Sequence, residues 1–227
     1  MKKSINTIDA LLTFSMKLTL LLCLISITNY SFAQKIFHQQ KAKGKWQYIK
    51  PFADKSYILA IQHLIIDREP FAEIYNANIY FGKSGPKADK IFWKENIDMR
   101  QITHNITYED YNNDGIEDLL IFEDTGARGG NSFYNLYLVN PKNHTLTKVK
   151  DFDKIVNPSY NKKYKVIVSY GLTGTNYYQL YRLDTKHIPY KVGQPFDDID
   201  NLDLDKKIVA ILNKNNNSKP QIKEINN

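Results

Sequence analysis

The sequence predicts an all-β fold, an antiparallel propeller-like or sandwich-like β domain with a short C-terminal helix. Three observations carry this. Short runs rich in β-branched and aromatic residues recur at intervals of about ten residues, the spacing of successive strands in sheet proteins. Turn-forming clusters separate them at Gly82-Lys83-Ser84-Gly85-Pro86, Gly126-Ala127-Arg128-Gly129-Gly130, Asn140-Pro141-Lys142-Asn143 and Gly171-Leu172-Thr173-Gly174-Thr175-Asn176. Sixteen Tyr and eleven Phe supply side chains that suit pleated, half-buried surfaces.

The chain opens with Lys2, Lys3 and Lys17 around an almost wholly apolar run from Leu18 to Ile27, and Ser31-Phe32-Ala33 before Gln34 fits a small-x-small cleavage site. Residues 1–33 therefore read as a signal peptide cleaved after Ala33. The run is about half the roughly 20 residues a membrane-spanning helix needs. Cys23, the single cysteine, lies within it, so the exported chain would carry no disulfide. Loss of three Lys and one Asp with this segment lowers the formal charge from +7 to +5. A periplasmic or secreted location follows, with no membrane attachment after cleavage. Export and the absence of a dense Lys/Arg cluster argue against nucleic acid.

Residues 34–56, rich in Lys and Gln, read as a flexible lead-in to the first strand. Strands are then expected at Tyr57–Ile61, Ile74–Phe81, Ile102–Tyr108, Leu119–Phe122, Phe133–Val139, Thr145–Lys148, Lys165–Tyr170 and Tyr177–Leu183. A helix is expected near Leu202–Leu212, where Leu202, Leu204, Ile208, Val209 and Leu212 form an apolar face and Asp197, Asp198 and Asp200 precede it as acids suited to a helix N-terminus. The polar tail from Asn213 reads as disordered. The division is thus 1–33 signal peptide, 34–95 lead-in and β region, 96–212 main β domain and 213–227 tail.

Between two of these strands, Asp110-Tyr111-Asn112-Asn113-Asp114-Gly115-Ile116-Glu117-Asp118 places oxygen-bearing side chains at positions 1, 3, 5 and 9 with Gly at 6. Ca²⁺ takes about six to eight oxygens, and alternating Asp and Asn in a tight turn aims several at one centre. Candidate ligands are Asp110, Asn112, Asp114, the Ile116 carbonyl and Asp118. Where an EF-hand carries its bidentate Glu, this chain has Ile121, inside an apolar run, so the loop leads into a strand rather than a helix. A plain Asx-rich turn is the metal-free alternative.

Catalytic signatures are lacking: there is no Gly-x-Ser-x-Gly elbow and no His-Glu-x-x-His pattern, and the five histidines, at 38, 63, 104, 144 and 187, show no ligand spacing. Glu109, Glu117 and Glu123, which flank the Asp110–Asp118 loop, are the only clustered candidates for an acid/base pair, and solvated loop edges carry such groups routinely. The chain is not expected to be an enzyme. Gly126–Gly130 precedes a strand rather than a helix, so it reads as a hairpin tip with Arg128 as a contact candidate. The loop Thr173-Gly174-Thr175-Asn176-Tyr177-Tyr178 combines small hydroxyl residues, a glycine and tyrosines, the chemistry of an inserting recognition loop or of an ordinary long hairpin.

From Ile106-Thr107-Tyr108-Glu109 through the Asp110–Asp118 loop, Phe133-Tyr134-Asn135-Leu136-Tyr137, Asn157-Pro158, Lys165-Val166-Ile167-Val168-Ser169 and Tyr177-Tyr178-Gln179-Leu180-Tyr181, the chain resembles periplasmic immunity proteins that neutralise peptidoglycan-hydrolase effectors delivered by type-four secretion systems. The resemblance implies a propeller-like domain similar to inhibitors of invertebrate-type lysozymes, with one D-x-N-x-D-G-x-x-D calcium loop. Those inhibitors insert a Ser-Gly-x-x-Tyr-like loop into the enzyme cleft. Thr173-Gly174-Thr175-Asn176-Tyr177 is similar to it, with Thr173 in place of Ser. The implied function is inhibition of a lysozyme-like peptidoglycan hydrolase. A calcium-dependent surface or carbohydrate-binding module without inhibitory activity is the alternative.

Overall fold

Four consecutive strands make each of three antiparallel sheets, and the sheets follow one another along the chain. The computed structural model describes residues 35–37, 44–69, 72–99, 106–126 and 130–217. The first sheet holds β1 (Lys45–Ile49), β2 (Tyr57–Glu69), β3 (Ala72–Lys83) and β4 (Lys90–Met99). The second holds β5 (Ile106–Glu109), β6 (Asp118–Thr125), β7 (Ser132–Asn140) and β8 (Thr145–Lys148). The third holds β9 (Ser159–Asn161), β10 (Val166–Gly171), β11 (Tyr177–Leu183) and β12 (Pro189–Asp197), followed by helix α1 (Leu204–Asn217). The predicted all-β class with one short C-terminal helix is what the chain adopts. The sheets stack face to face in sandwich fashion, as their cores show.

Period-two alternation assigns each face to a layer. In β2, Leu59 and Ile61 enter a core shared with Leu119, Ile121, Tyr137 and Val139 of the second sheet. Ile58 and Ala60 point the other way, to Ile36, Phe37 and Ile91. Leu120, Leu136 and Leu138 leave the far face of the second sheet to meet Phe152, Ile155 and Ile167. Val166, Val168, Leu180 and Val192 then pack under Ile208 of α1. The layer order is residues 35–37, first sheet, second sheet, third sheet, α1. The middle sheet is apolar on both faces, which explains why Leu119–Phe122 reads as an unbroken apolar run.

Several elements differ from expectation. Strand β1 and the buried Ile36 and Phe37 lie in the stretch read as a flexible lead-in. Strands β4, β9 and β12 also lie outside the predicted runs, and the 95/96 division falls inside β4. Residues 102–105 of the predicted Ile102–Tyr108 strand, the signal segment 1–33 and residues 218–227 of the tail lie outside the described residues. Helix α1 starts at Leu204 and continues to Asn217, past the expected end of order at Asn213. Its cap is Asp203, whose Oδ1 accepts the Lys206 N–H at 3.0 Å. The acids Asp197, Asp198 and Asp200 instead end β12 and form the loop before the helix. Val209, placed on the apolar face by the sequence, is exposed. Ile211 packs there with Leu204, Ile208 and Leu212. No helix among the described residues is long and apolar enough to cross a membrane.

Candidate functional site

The Asp110–Asp118 segment joins β5 to β6 and is pinned on both sides. Tyr111 enters the core between the second and third sheets, with Phe152 edge-on at 5.5 Å and Tyr160 at 5.8 Å. Ile116 packs against the core between the first and second. The turn needs left-handed backbone at Asn113 (φ 60°) and Gly115 (φ 87°), conformations that Asn and Gly adopt at low cost. Asp110 accepts the N–H groups of Asp114 (3.0 Å) and Gly115 (2.9 Å). Asn112 Oδ1 accepts the Asp114 N–H at 3.0 Å, and its Nδ2 donates to Asp114 Oδ2 at 2.8 Å. Asp114 Oδ1 in turn accepts the Ile116 N–H at 2.8 Å.

Asp118 is fully buried. Its two oxygens accept the N–H groups of Tyr111 and Val139, each at 3.0 Å, so one carboxylate ties the loop to β7. Burial pushes it up to about 7 against the pull of those two bonds, and the negative charges of Asp114 and Asp110 add to the rise. All five candidate ligands offer oxygen, the donor set of a hard cation, and a carboxylate oxygen that accepts one N–H keeps a second lone pair. Among the described residues no three or more His, Cys, Asp or Glu side chains are gathered as a metal cluster. Asp110 and Asp114 are turned onto the loop's own amides. The donor chemistry thus fits Ca²⁺, and coordination would require those two side chains to share their oxygens with the ion.

Of the three glutamates that flank the loop, Glu117 is exposed and the other two have separate partners. Glu109 accepts the Tyr160 N–H at 3.4 Å and faces Lys162 at 4.0 Å, whereas Glu123 accepts Asn135 Nδ2 at 2.9 Å and is raised by burial. His144 stacks on Tyr57 at 4.5 Å, His63 is buried in β2, and His187 sits in an exposed turn. His38, His104 and Arg128 lie outside the described residues.

The second predicted site is better organised than the sequence implied. Strands β10 and β11 pair up to Gly171 and Tyr177, leaving Leu172–Asn176 as the hairpin tip. Asn131 grips one foot: its Oδ1 accepts the Leu172 N–H at 2.9 Å and its Nδ2 donates to the Leu172 carbonyl at 3.1 Å. Asn157 holds the same foot from below, donating Nδ2 to the Tyr170 carbonyl at 2.8 Å and to the Gly130 carbonyl at 3.2 Å while accepting the Ser132 N–H at 2.8 Å. The other foot is fixed by the Asp198 N–H donating to the Asn176 carbonyl at 2.8 Å and by the Tyr170 hydroxyl donating to Asp198 Oδ2 at 2.6 Å.

The tyrosines brace this frame. Tyr178 lies between Tyr170, at 4.7 Å, and Phe196, stacked at 5.4 Å. Tyr177 covers Gly171 so closely that an added Cβ would stand 2.5 Å from its ring. What projects is the tip. Leu172, Thr173, Gly174 and Thr175 are exposed, the Thr173 hydroxyl donates to the Thr175 carbonyl at 3.0 Å, and Gly174 has φ 95° with open space around it. Between this tip and Gly126, Gly130 and Asn131 lies a cleft of about 480 Å³. The two ends of the Gly126–Gly130 segment thus share one edge with the tip, and residues 127–129 lie outside the described residues. The sequence reading gave Asn131, Asn157, Leu172 and Asp198 no role in this site, although the Gly171–Asn176 cluster, the Asn157-Pro158 pair and the Asp197–Asp200 run were all visible in it.

No protein family is matched by the chain, and no curated protein matches it. Among solved structures it is similar to one described as "Structure of a Xanthomonas Type IV Secretion System related protein", with 15% identity and a TM-score of 0.43 over 70% of this chain and 98% of that chain.

Proposed function

We propose that this chain is an exported, non-enzymatic inhibitor, an immunity-type protein that blocks a lysozyme-like peptidoglycan hydrolase by inserting the Leu172–Asn176 tip into its cleft. The observation that carries the reading is the clasp of Asn131, Asn157 and Asp198, which fixes both feet of a tip whose own side chains make few contacts. A tip held rigid before binding loses little conformational entropy on docking. Glycosidase clefts present carboxylates, and the Thr173 and Thr175 hydroxyls and tip amides are donors suited to them. Exposed Leu172 adds an apolar contact. Thr173, Gly174, Thr175 and Asn176 are the contact residues, and Tyr177 and Tyr178 hold them in place. The motif order that resembles periplasmic immunity proteins supports the choice of partner.

Capture from a panel of purified peptidoglycan hydrolases tests the reading, with the wild type compared to Leu172→Glu and Thr175→Glu. Both positions are exposed, so the fold should be unaffected. Retention of at least one hydrolase by the wild type, weakened more than about tenfold by either charge, is the expected result. Capture by none of the three proteins, or equal capture by all three, would remove the inhibitor reading in favour of a binding module.

In the same proposal Asp110, Asn112, Asp114, the Ile116 carbonyl and Asp118 hold Ca²⁺, which staples the rim of both interlayer cores. A ligand present at 100 times its Kd stabilises the native state by about 2.7 kcal/mol, so calcium should raise the melting temperature and chelation should lower it. Asp114→Ala should abolish that response. The pH dependence has a definite sign. Without calcium, folded Asp118 holds its proton to about pH 7 while the unfolded chain releases it near the ordinary value of 3.8. The folded state then binds more protons in that interval, so stability falls as pH rises from about 4 to about 7 and levels off above. Calcium, which favours the carboxylate, should reverse the trend. Melting temperatures that do not respond to chelator at neutral pH would show that no ion braces the loop.

A further inference from the structure

The β10–β11 hairpin carries the inhibitor tip at one end, between Gly171 and Tyr177. At the opposite end, where Lys165 precedes β10 and Leu183 closes β11, an interlayer crevice of about 320 Å³ takes no part in that reading. It lies between the Asp110–Asp118 loop, which contributes Tyr111 and Asn113, and the third sheet. Ile167 and Leu183 give it apolar surface continuous with the core between the second and third sheets, and the rings of Tyr111 and Tyr160, 5.8 Å apart, line it as well. Two of its eight lining residues, Lys165 and Arg182, are cationic and none is acidic. Arg182 is half-buried and held in place: Nε donates to the Lys165 carbonyl at 3.2 Å and Nη2 to the Tyr164 carbonyl at 3.3 Å. Those bonds use two of the five guanidinium N–H groups and leave three. The Lys165 ammonium, the Tyr160 hydroxyl and the Asn113 carboxamide have no hydrogen-bond partner among the described residues. The carboxylates next to the crevice are engaged elsewhere, Glu109 by the Tyr160 N–H and Lys162, and Asp110 by the amides of Asp114 and Gly115.

Two cations beside apolar surface, with a hydroxyl and a carboxamide close by, match a ligand that has one anionic end and a small apolar body. A guanidinium takes a carboxylate through two parallel N–H bonds, and partial burial strengthens that pairing relative to an open surface. A crevice of this size stands at the lower end of small-molecule pockets, so it admits the end of a chain rather than a polymer or a folded surface. Inorganic phosphate would satisfy the cations and leave Ile167 and Leu183 without a contact. Nucleic acid would ask for a cationic track much longer than two residues. A peptide terminus uses every part of the lining: carboxylate for the cations, side chain for the apolar surface, peptide bond for the hydroxyl and the carboxamide.

We propose that this crevice is a carboxylate-binding site for the C-terminus of a short peptide. The terminal carboxylate sits on Arg182 and Lys165, the last side chain rests against Ile167 and Leu183, and the last peptide bond meets the Tyr160 hydroxyl and the Asn113 carboxamide. The six residues of β10 separate this site from the tip by about 20 Å, at about 3.3 Å per residue. A peptide held here leaves the tip free to dock, and neither site depends on the other.

Titration calorimetry of the purified protein with N-acetyl-Ala-Ala, whose terminal carboxylate is free, tests the site against N-acetyl-Ala-Ala-amide and inorganic phosphate. Binding of the free acid is expected, at least about tenfold tighter than either of the other two and weaker at high salt. Lys165 stands at φ 52°, a left-handed conformation that Asn also tolerates. Lys165→Asn should therefore keep its melting temperature while affinity for the acid falls about fivefold. Arg182→Gln, which also gives up the two carbonyl bonds, should lose more than about tenfold in affinity and melt lower. Leu172→Glu should bind the acid as the wild type does, so hydrolase capture and peptide binding fail or succeed separately. No binding of the acid by the wild type would overturn the proposal. So would equal affinity for the amide or for phosphate, or affinity unchanged in both Lys165→Asn and Arg182→Gln.

Discussion

Replacing Asn157 by alanine is expected to destabilise the protein by about 2–4 kcal/mol and to weaken hydrolase capture more than tenfold, although Asn157 itself stands behind the tip. Asn157 is held at φ 42° immediately before Pro158. Asn tolerates that left-handed backbone where alanine is strained by about 1–2 kcal/mol. Its side chain also joins the Ser132 N–H to the Tyr170 and Gly130 carbonyls, and each lost bond costs about 1 kcal/mol. Asn157→Asp separates the two contributions. It keeps the backbone preference and the acceptor for Ser132 but sets a carboxylate oxygen against two carbonyls. If the clasp positions the tip, Asp should capture hydrolase as poorly as Ala while melting at a higher temperature. Full capture by both variants would mean that the tip does not need the clasp.

Phe152→Ala should give the largest loss of stability, about 3–5 kcal/mol in urea denaturation, with Phe152→Leu costing less than half as much. The ring has no exposed surface. It stands edge-on to Tyr111 at 86°, among Leu136, Leu138, Ile155 and Ile167, where the second and third sheets meet. Truncation leaves a cavity between two sheets that cannot close without separating their strands from register. Because Tyr111 lies within the Asp110–Asp118 loop, the variant should also show a smaller calcium response. A cost below about 1 kcal/mol would show that the two sheets repack freely around this position.

The pattern of strands that the sequence revealed and concealed has a physical cause. The interior strands β2, β3, β6, β7, β10 and β11 carry the strong apolar and aromatic signal, because both neighbours and at least one face are buried. The four strands that escaped, β1, β4, β9 and β12, are the edges of the first and third sheets. Edge strands are tolerant of residues that read as breakers or as solvated surface. β12 contains Pro189, Gly193 and Pro195, residues that interrupt a strand pattern, and in β4 the charges of Lys90, Lys94 and Glu95 dilute the alternation. Gly193 takes φ 72° with Ile211 of α1 so near that a Cβ would stand 2.5 Å from it, a helix approach that no local pattern announces.

The site was legible in part for the same reason. The Asp/Asn/Gly spacing of the Asp110–Asp118 loop is local, so its turn was readable from the chain alone. The burial of Asp118 and its bond to Val139 depend on a strand 21 positions away and were not. Likewise the tip residues stood out by composition, but the clasp that gives them a fixed shape joins segments 26 and 41 positions apart. Asn131 and Asn157, read singly, are ordinary turn residues. Trp46, Tyr48 and Tyr80 and the amides of Gln62, Asn78 and Asn96 were spread over the four strands of the first sheet, two of them unrecognised, and share one face only because register brings them together.

The central claim is that a rigid tip blocks a peptidoglycan hydrolase, and the most direct test replaces Leu172–Asn176 by a two-residue Asn-Gly turn between the paired Gly171 and Tyr177. Clearance of a peptidoglycan suspension by a captured hydrolase is then followed with increasing amounts of either protein, in calcium. The account predicts stoichiometric inhibition by the wild type and none by the shortened protein at an unchanged melting temperature. Equal inhibition by both proteins would contradict it.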